Sequence, residues 1–469
     1  MEKLGVNGAV ATGDKHRGAV VSVVWDGADC FATAGADHIA RIYQLHPSSN
    51  NNPRSTRLIR EWTPFHSNTA LAGLVSSSPA HDYQHPHDNS DHRARLLLAF
   101  GASPQAIVCS WRDGNQLCAT PRGDMYAFDS RNTAGHSAAI TAAAWTAPRF
   151  VTASRDATLR VWEFAGSCSA AARQVRVVRL RAGGTASSRL LPDAIAAAPT
   201  SLVAVGCANS SIRVYDLRAH GDRACETIPR AVNAGGDELV SMAFAPDDAH
   251  QLLARSTDDC LRLWDIRRVD HPLVCHSNLP SSPPPLASPC LFIHRAPFCS
   301  PSSPSSSLSL YATAAAGAAG FAGAQAAHNR NELVKRSRLV LFSRATLELV
   351  AEAYVGEPRG NITALCDAAR CLMLGCADGT TLQCNSTAAT LNAERNRDET
   401  ICVKSASVQA ARQVKDGSSS ASPGMQRRRK QHDAVIAKAE LPIFAAHEIP
   451  AAMRALKKRK HPHASPSTE

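Results

Sequence analysis

The stretch GHSAAITAAAWTAPRFVTASRDATLRVWEF, Gly135 to Phe164, decides the fold. It opens on a Gly-His pair, runs through an alternating strand that ends at Trp145, and continues in an apolar strand around Phe150 to Ala153. A tight turn at Arg155 to Ala157 follows, and a third strand closes on Trp162. Apolar alternation with period two, broken by turn residues, is the mark of short antiparallel strands. Parts in this order make one blade of a β-propeller. In the heart of such a blade His136, either Ser154 or Thr152, Asp156 and Trp162 can hydrogen-bond in a chain, each donor and acceptor satisfied by the next. This tetrad is expected to lock the turn to the strands.

Ser, His and Asp in one short segment also fit a hydrolytic triad. The blade explains their spacing together with that of Trp162, whereas a triad needs a nucleophile elbow or an oxyanion loop, and no GxSxG occurs. Nor is there a phosphate loop or metal-ligand spacing. A non-enzymatic protein without cofactor or metal is expected.

A chain of 469 residues is long for one ordinary core, but a propeller grows by adding blades around an axis. From Lys404 onward there are 13 Lys and Arg against five Asp and Glu, so +8 of the formal +11 lies there and the preceding 403 residues carry only +3. The opening MEKLGVNGAVATGDKHR has no apolar core of secretory type, and no run long and apolar enough to span a bilayer follows. The expectation is a soluble intracellular protein. Most of the 15 cysteines sit in apolar runs such as CLMLGC, where Cys acts as a small hydrophobe. Cys366, Cys371, Cys376 and Cys384 lack the paired spacing of a zinc site.

Outward from the reference blade, similar units recur at the 40- to 45-residue interval typical of WD repeats. The first runs from His16 to Leu45, with Tyr43 standing where Trp162 stands. The second is interrupted by SSSPAHDYQHPHDNSDH and resumes as ARLLLAFG and QAIVCSW; His81, His85, His87 and His92 in that insertion have no fixed ligand spacing and read as a solvated loop. A fourth blade ends in LVAVGCANSSIRVYDLR. The fifth ends in LVSMAFAPDDAHQLLARSTDDCLRLWDIRR, with Asp258 or Asp259 at its turn. The sixth, with strands in SLYATAAAG and SRLVLFSRATLELV, is split by Pro-, Ser-, Gly- and Ala-rich runs. The seventh holds NITALC, CLMLGCADG and TTLQC. Seven blades is the count, with six or eight as alternatives. Ring closure falls to GAVAT near the start or to ETICVKS, Glu399 to Ser405.

The expected organisation is thus an all-β propeller over residues 16–405 with loop insertions at about 76–92 and 280–336, preceded by a segment 1–15 and followed by a basic, largely disordered tail 406–469. The tail carries two basic blocks, Arg427, Arg428, Arg429 and Lys430, then Lys457, Lys458, Arg459 and Lys460. Such blocks read as nuclear import signals or nucleic-acid contacts.

Five stretches resemble the WD repeat-containing protein 70, or gastrulation-defective-like, family. They are GDMYAFDSRNTAGH (Gly123 to His136), DATLRVWEF (Asp156 to Phe164), DDCLRLWDIRRVDHPL (Asp258 to Leu273) with the SNLP that follows, SRLVLFSRATLELV, and the tail piece RRRKQHDAVIAKAELPIF (Arg427 to Phe444). Family members usually carry a long acidic region before the propeller, whereas this sequence starts almost at its first blade. The resemblance implies a nuclear scaffold of substrate-receptor type in a cullin-RING ubiquitin ligase; the nucleus is the expected location, with the cytoplasm as a second one left open. It further implies action on chromatin in the response to DNA double-strand breaks. Trp264-Asp265-Ile266-Arg267 is a WDxR element, whose Arg in similar receptors contacts the ligase adaptor; Tyr215-Asp216-Leu217-Arg218 is a second, weaker version. The alternative is an RNA-associated or ribosome-assembly scaffold whose tail contacts nucleic acid. No membrane partner is expected.

Overall fold

The second strand of each repeat dictates the architecture. Cys30–Gly35, Leu96–Gly101, Arg149–Ser154, Leu202–Cys207, Gln251–Ser256 and Leu310–Ala315 are buried at every position after the first. A strand buried on both faces needs cover on both sides of its sheet. Neighbouring blades supply it. In the computed structural model this produces a seven-bladed β-propeller. The described residues are 15–26, 29–45, 56–65, 69–77, 95–127, 129–146, 148–164, 172–182, 189–229, 231–232, 238–281, 289–293, 310–316, 337–354, 360–368, 371–384 and 403–404. The chain divides into two units, Met1–Ser407 and Val408–Glu469, and all described residues lie in the first.

Each blade is an antiparallel meander whose strands pair in chain order. The third runs Ile140–Thr146, Arg149–Ser154, Thr158–Glu163 and Arg173–Arg179, from the innermost strand to the outer one. Innermost strands such as ITAAAWT and PDAIAA are rich in Ala, as crowding around an axis requires. In the first five blades and the seventh the pairing of innermost and second strands slips near its start. Such bulges sharpen the local twist. Outer strands such as Thr56–Trp62 are half exposed.

Seven apolar clusters form the core, one for each junction between blades, and the last joins Val20, Val23, Trp25, Phe31 and Tyr43 of the first blade to Ala364 and Met373 of the seventh. Packing therefore closes the ring. Polar contacts reinforce it: His16 N donates to Gly379 O at 3.1 Å, and Thr363 Oγ1 donates to Val20 O. Of the two segments expected to close the ring, GAVAT lies outside the described residues. In ETICVKS, Val403–Lys404 pairs with the outer strand of the sixth blade, Ala353 opposite Val403 and Glu352 opposite Lys404. It makes a fifth strand there. The seventh blade has three strands among the described residues.

The sixth blade holds a strand that the sequence reading missed. Cys290–Ile293, within the span read as an insertion, is its innermost strand and pairs with Leu310–Ala315. The second-blade insertion is described only at its edge.

The turn between second and third strands repeats one geometry. His38, Ala157, Ser210, Asp259 and Gly379 all have positive φ, from 60° to 88°, and each follows an Asp or Asn. The side chains of Asp37, Asp156, Asn209, Asp258 and Asp378 accept from the backbone N–H two residues on, at 2.9–3.3 Å. Local side-chain acceptors of this kind stabilise a left-handed residue in a turn. In the fifth blade the turn acceptor is therefore Asp258, and Asp259 takes the left-handed place.

At Gly379 the turn meets the closing contact, for a Cβ there would lie 2.0 Å from His16 O. Gly379→Ala adds left-handed strain to a backbone clash and is expected to lower stability by about 2–4 kcal/mol. Chemical denaturation of the full chain measures this; a loss below about 0.5 kcal/mol would show that closure does not depend on the contact.

Candidate interaction surface and the network beneath it

In the third blade Trp162 Nε1–H donates to Thr152 Oγ1 at 2.8 Å, and Thr152 Oγ1 lies 2.8 Å from His136 Nε2. His136 Nδ1 lies 3.0 Å from Asp156 Oδ2, which also accepts from Ser137 N at 3.1 Å. One protonation pattern satisfies the whole chain: Thr152 donates to Nε2, and Nδ1–H donates to the carboxylate. The tetrad place open to Ser154 or Thr152 thus belongs to Thr152. Ser154 instead donates to Ala138 O at 2.9 Å and accepts from Asp156 N at 3.2 Å, bracing the turn.

Burial and this geometry set the charges. Desolvation lowers the His136 pKa against the pull of Asp156. Burial pushes the Asp156 carboxyl up, but the His136 and Thr158 bonds outweigh it and hold the pKa at about 2. His136 is wholly buried, and both of its ring nitrogens are partnered, by Asp156 and Thr152.

The first blade repeats the network: His16 Nδ1 meets Asp37 Oδ1 and His16 Nε2 meets Thr33 Oγ1, both at 2.8 Å. Tyr43 packs on Phe31 with ring centroids 5.0 Å apart, as Trp162 stands opposite Phe150. The signal that finds Thr33 and Asp37 is spacing, since Thr to Asp to aromatic runs at the same intervals in both blades. The fifth blade keeps the Trp-Asp close but not the network. Ala254 stands where Thr152 stands, and the buried Trp264 Nε1 has no partner.

An arginine missed in the sequence recurs two residues before the aromatic, as Arg41, Arg160, Arg213 and Arg262. In the fifth blade, without a histidine, Arg262 takes over and forks onto Asp258. In the third, where His136 already holds the aspartate, fully buried Arg160 turns to the incoming loop. It donates to Thr133 O at 2.9 Å, to Thr133 Oγ1 at 2.7 Å and to Ser130 O. The same loop is clamped at Gly123 and Gly135: a Cβ on Gly135 would lie 1.7 Å from Pro121 O.

The WDxR residues lie at the other end of the blades. Asp216 and Asp265 are the last residues of their third strands. Arg218 donates through Nε to Asp216 Oδ1 at 3.1 Å and through Nη2 to Oδ2 at 2.9 Å. Arg267 holds Asp265 in the same way, at 2.9 and 2.8 Å. The two arginine side chains remain 73% and 62% exposed, and the Arg267 bond holds the Asp265 carboxyl at about 2. Trp264 is buried behind them. Asp129 and Arg131 form a third such fork, in the connector into the third blade.

The sequence matches the WD domain, G-beta repeat family over residues 129–163, the span of the network just described. The chain carries a WD repeat over this span. It is similar to the gastrulation defective protein 1 homolog of Drosophila melanogaster, 30% identical over 224 residues, which are 45% of this chain and 32% of that protein. WD repeat-containing protein 70 of Bos taurus is 27% identical over 190 residues, 40% of this chain and 28% of the relative. Its Homo sapiens counterpart is 38% identical over 71 residues, 14% of this chain and 11% of the relative. The alignments thus cover about a third or less of these relatives' lengths. A WD-repeat propeller is a scaffold for protein interactions.

The import blocks Arg427–Lys430 and Lys457–Lys460, with the rest of the tail, lie outside the described residues. So do His81, His85, His87 and His92. Among the described residues no three His, Cys, Asp or Glu side chains gather as metal ligands, and no helix is long and apolar enough to cross a membrane.

Thr152→Val keeps the shape but strands both Trp162 Nε1 and His136 Nε2. It is expected to cost about 2–4 kcal/mol, against about 1–2 kcal/mol for Ser154→Ala; equal losses in denaturant titrations would remove Thr152 from the centre of the chain. Acid acts on the same groups. His16 and His136 titrate below 6.5 in the folded ring because burial disfavours the imidazolium. As pH falls through 6.5 the unfolded chain binds protons that the native one refuses, so stability present above that pH is lost until the folded values are passed. Asp156 adds a second loss between 3.8 and about 2. Calorimetry should show a melting temperature that drops from pH 7 to pH 5; a flat profile would contradict the buried neutral histidines.

Proposed function

We propose that this protein is a non-enzymatic nuclear scaffold and a substrate-receptor subunit of a cullin-RING ubiquitin ligase, acting on chromatin in the response to DNA double-strand breaks. The observation that carries the reading is the pair of exposed forks, Asp216–Arg218 and Asp265–Arg267, at the same end of neighbouring blades. Each aspartate fixes one edge of its guanidinium and leaves the other donors facing solvent. Pre-oriented, charge-assisted donors of this kind suit a protein partner presenting carboxylates or carbonyls. The similarity to WD repeat-containing protein 70 supports the same reading, and the two basic blocks of the tail favour nuclear import.

The charge of the tail favours a second reading, an RNA-associated or ribosome-assembly scaffold, because Lys and Arg runs bind phosphate backbones through counterion release. One experiment separates the two. Affinity purification of the full chain from nuclear extract, beside an Arg218→Ala, Arg267→Ala variant, should recover a ligase adaptor and cullin, with the variant's yield reduced about tenfold. Undiminished recovery by the variant would end the adaptor role of these arginines, and pre-ribosomal proteins in place of adaptor would favour the second reading.

A further inference from the structure

Seven large apolar side chains are exposed among the described residues. Ile59, Val175 and Val350 belong to outer strands, and Leu273 directly precedes one. Rim strands expose apolar groups as a matter of course. The other three, Met125 at 61%, Tyr126 at 89% and Leu191 at 43%, lie in the connectors leading into the third and fourth blades. Both connectors reach the ring at the end opposite Arg218 and Arg267.

Backbone contacts make these connectors continuous. Gly123 N donates to His136 O at 2.8 Å and Arg122 bridges to His136. Ser137 is bonded to Asp156 in the adjoining turn, and Arg155 N of that turn donates to Ala139 O. Ala157 O accepts from Leu180 N, and Arg181 bridges to Arg189, two residues before Leu191. Along this path Arg122, Arg155, Arg181 and Arg189 are exposed, and no salt bridge holds any of them among the described residues. Nine other arginines, Arg41, Arg95, Arg131, Arg173, Arg179, Arg218, Arg262, Arg267 and Arg344, have carboxylate partners; Arg17, Arg57, Arg60, Arg112, Arg223 and Arg268 are exposed without one among the described residues, but none of them lies on this path.

We propose that this end of the third and fourth blades docks an acidic peptide segment whose carboxylates are spaced by large apolar side chains. The four exposed arginines would take the carboxylates, and Met125, Tyr126 and Leu191 the apolar groups between them. An exposed Tyr on a braced loop has the makings of a binding hot spot, since little entropy is left to lose on docking. Arg160 and the Gly123–Gly135 clamp brace this loop, and Asp124 Oδ1 accepts from Tyr126 N at 2.8 Å. A nucleic acid fits less well. Asp124 lies beside Arg122 and Asp193 beside Arg155, breaking the run of positive charge that an unbroken line of phosphates would need, and Met125 and Leu191 offer no ring for base stacking.

Fluorescence anisotropy on the full chain tests the surface, with a labelled peptide alternating Glu with Leu and Phe as the probe. The basic tail contributes equally to every variant, so the differences carry the result. Arg155→Glu with Arg189→Glu, and separately Met125→Ala with Tyr126→Ala, should each weaken binding by roughly tenfold with unchanged melting. Arg218→Ala with Arg267→Ala should leave it unchanged, which separates this surface from the adaptor reading. The proposal is overturned if neither surface variant weakens binding, or if a Glu-Ser peptide binds as well as the probe. It is equally overturned if a single-stranded oligonucleotide shows the same dependence on these residues while the peptide does not.

Discussion

Each blade has two apolar faces and only its two neighbours to cover them. From this constraint the rest follows: the second strand of the repeats is buried at every position after the first, and the seventh blade has to meet the first. Val20, Trp25 and Phe31 on one side and Ala364 and Met373 on the other form that last junction. The contact is as apolar as those between blades adjacent in sequence, with Gly379 and Thr363 adding hydrogen bonds across it. Because closure rests on face-to-face packing, the late strand Val403–Lys404 is free to extend the sixth blade.

Polar groups are shared out blade by blade under one rule, that a buried turn aspartate needs a cationic or donating partner. Histidine supplies it in the third blade and arginine in the fifth; the first uses both, with Arg41 3.4 Å from Asp37. Substituting one partner for another keeps the turn intact while releasing the spare group for other duties. The blade whose network is fullest is for this reason the one that spares Arg160 to hold a surface loop. Trp264, lacking a partner for its N–H, sits instead behind the exposed Arg267 fork. The Asp216 and Asp265 forks thus fall outside the blade whose network is fullest.

Much of this was legible in the sequence where local signals agree. The third blade declared itself through His136, Asp156 and Trp162, and the forks through their Asp-x-Arg spelling. The choice between Thr152 and Ser154 was not legible, because both hydroxyls point to the same face of one strand. Only the register that sets Phe150 opposite Trp162 brings the indole within reach of Thr152. The strand at Cys290–Ile293 escaped notice because four residues amid Pro and Ser carry no period of their own; Ser241 Oγ of the preceding blade accepts from its Cys290 N. Closure was hidden for a related reason. Thr363 and Val20 are 343 positions apart, and no local pattern announces such a pair.

Arg160 ties the conformation of the solvent-facing loop to the interior of the third blade. A charge this deeply buried cannot swing out without exposing Trp162 and the strand that carries it, so loop and blade share one opening reaction. In hydrogen-exchange terms they belong to a single protected unit. A ligand that grips the tip around Tyr126 would slow amide exchange along Thr158–Glu163, reporting its presence from inside the ring.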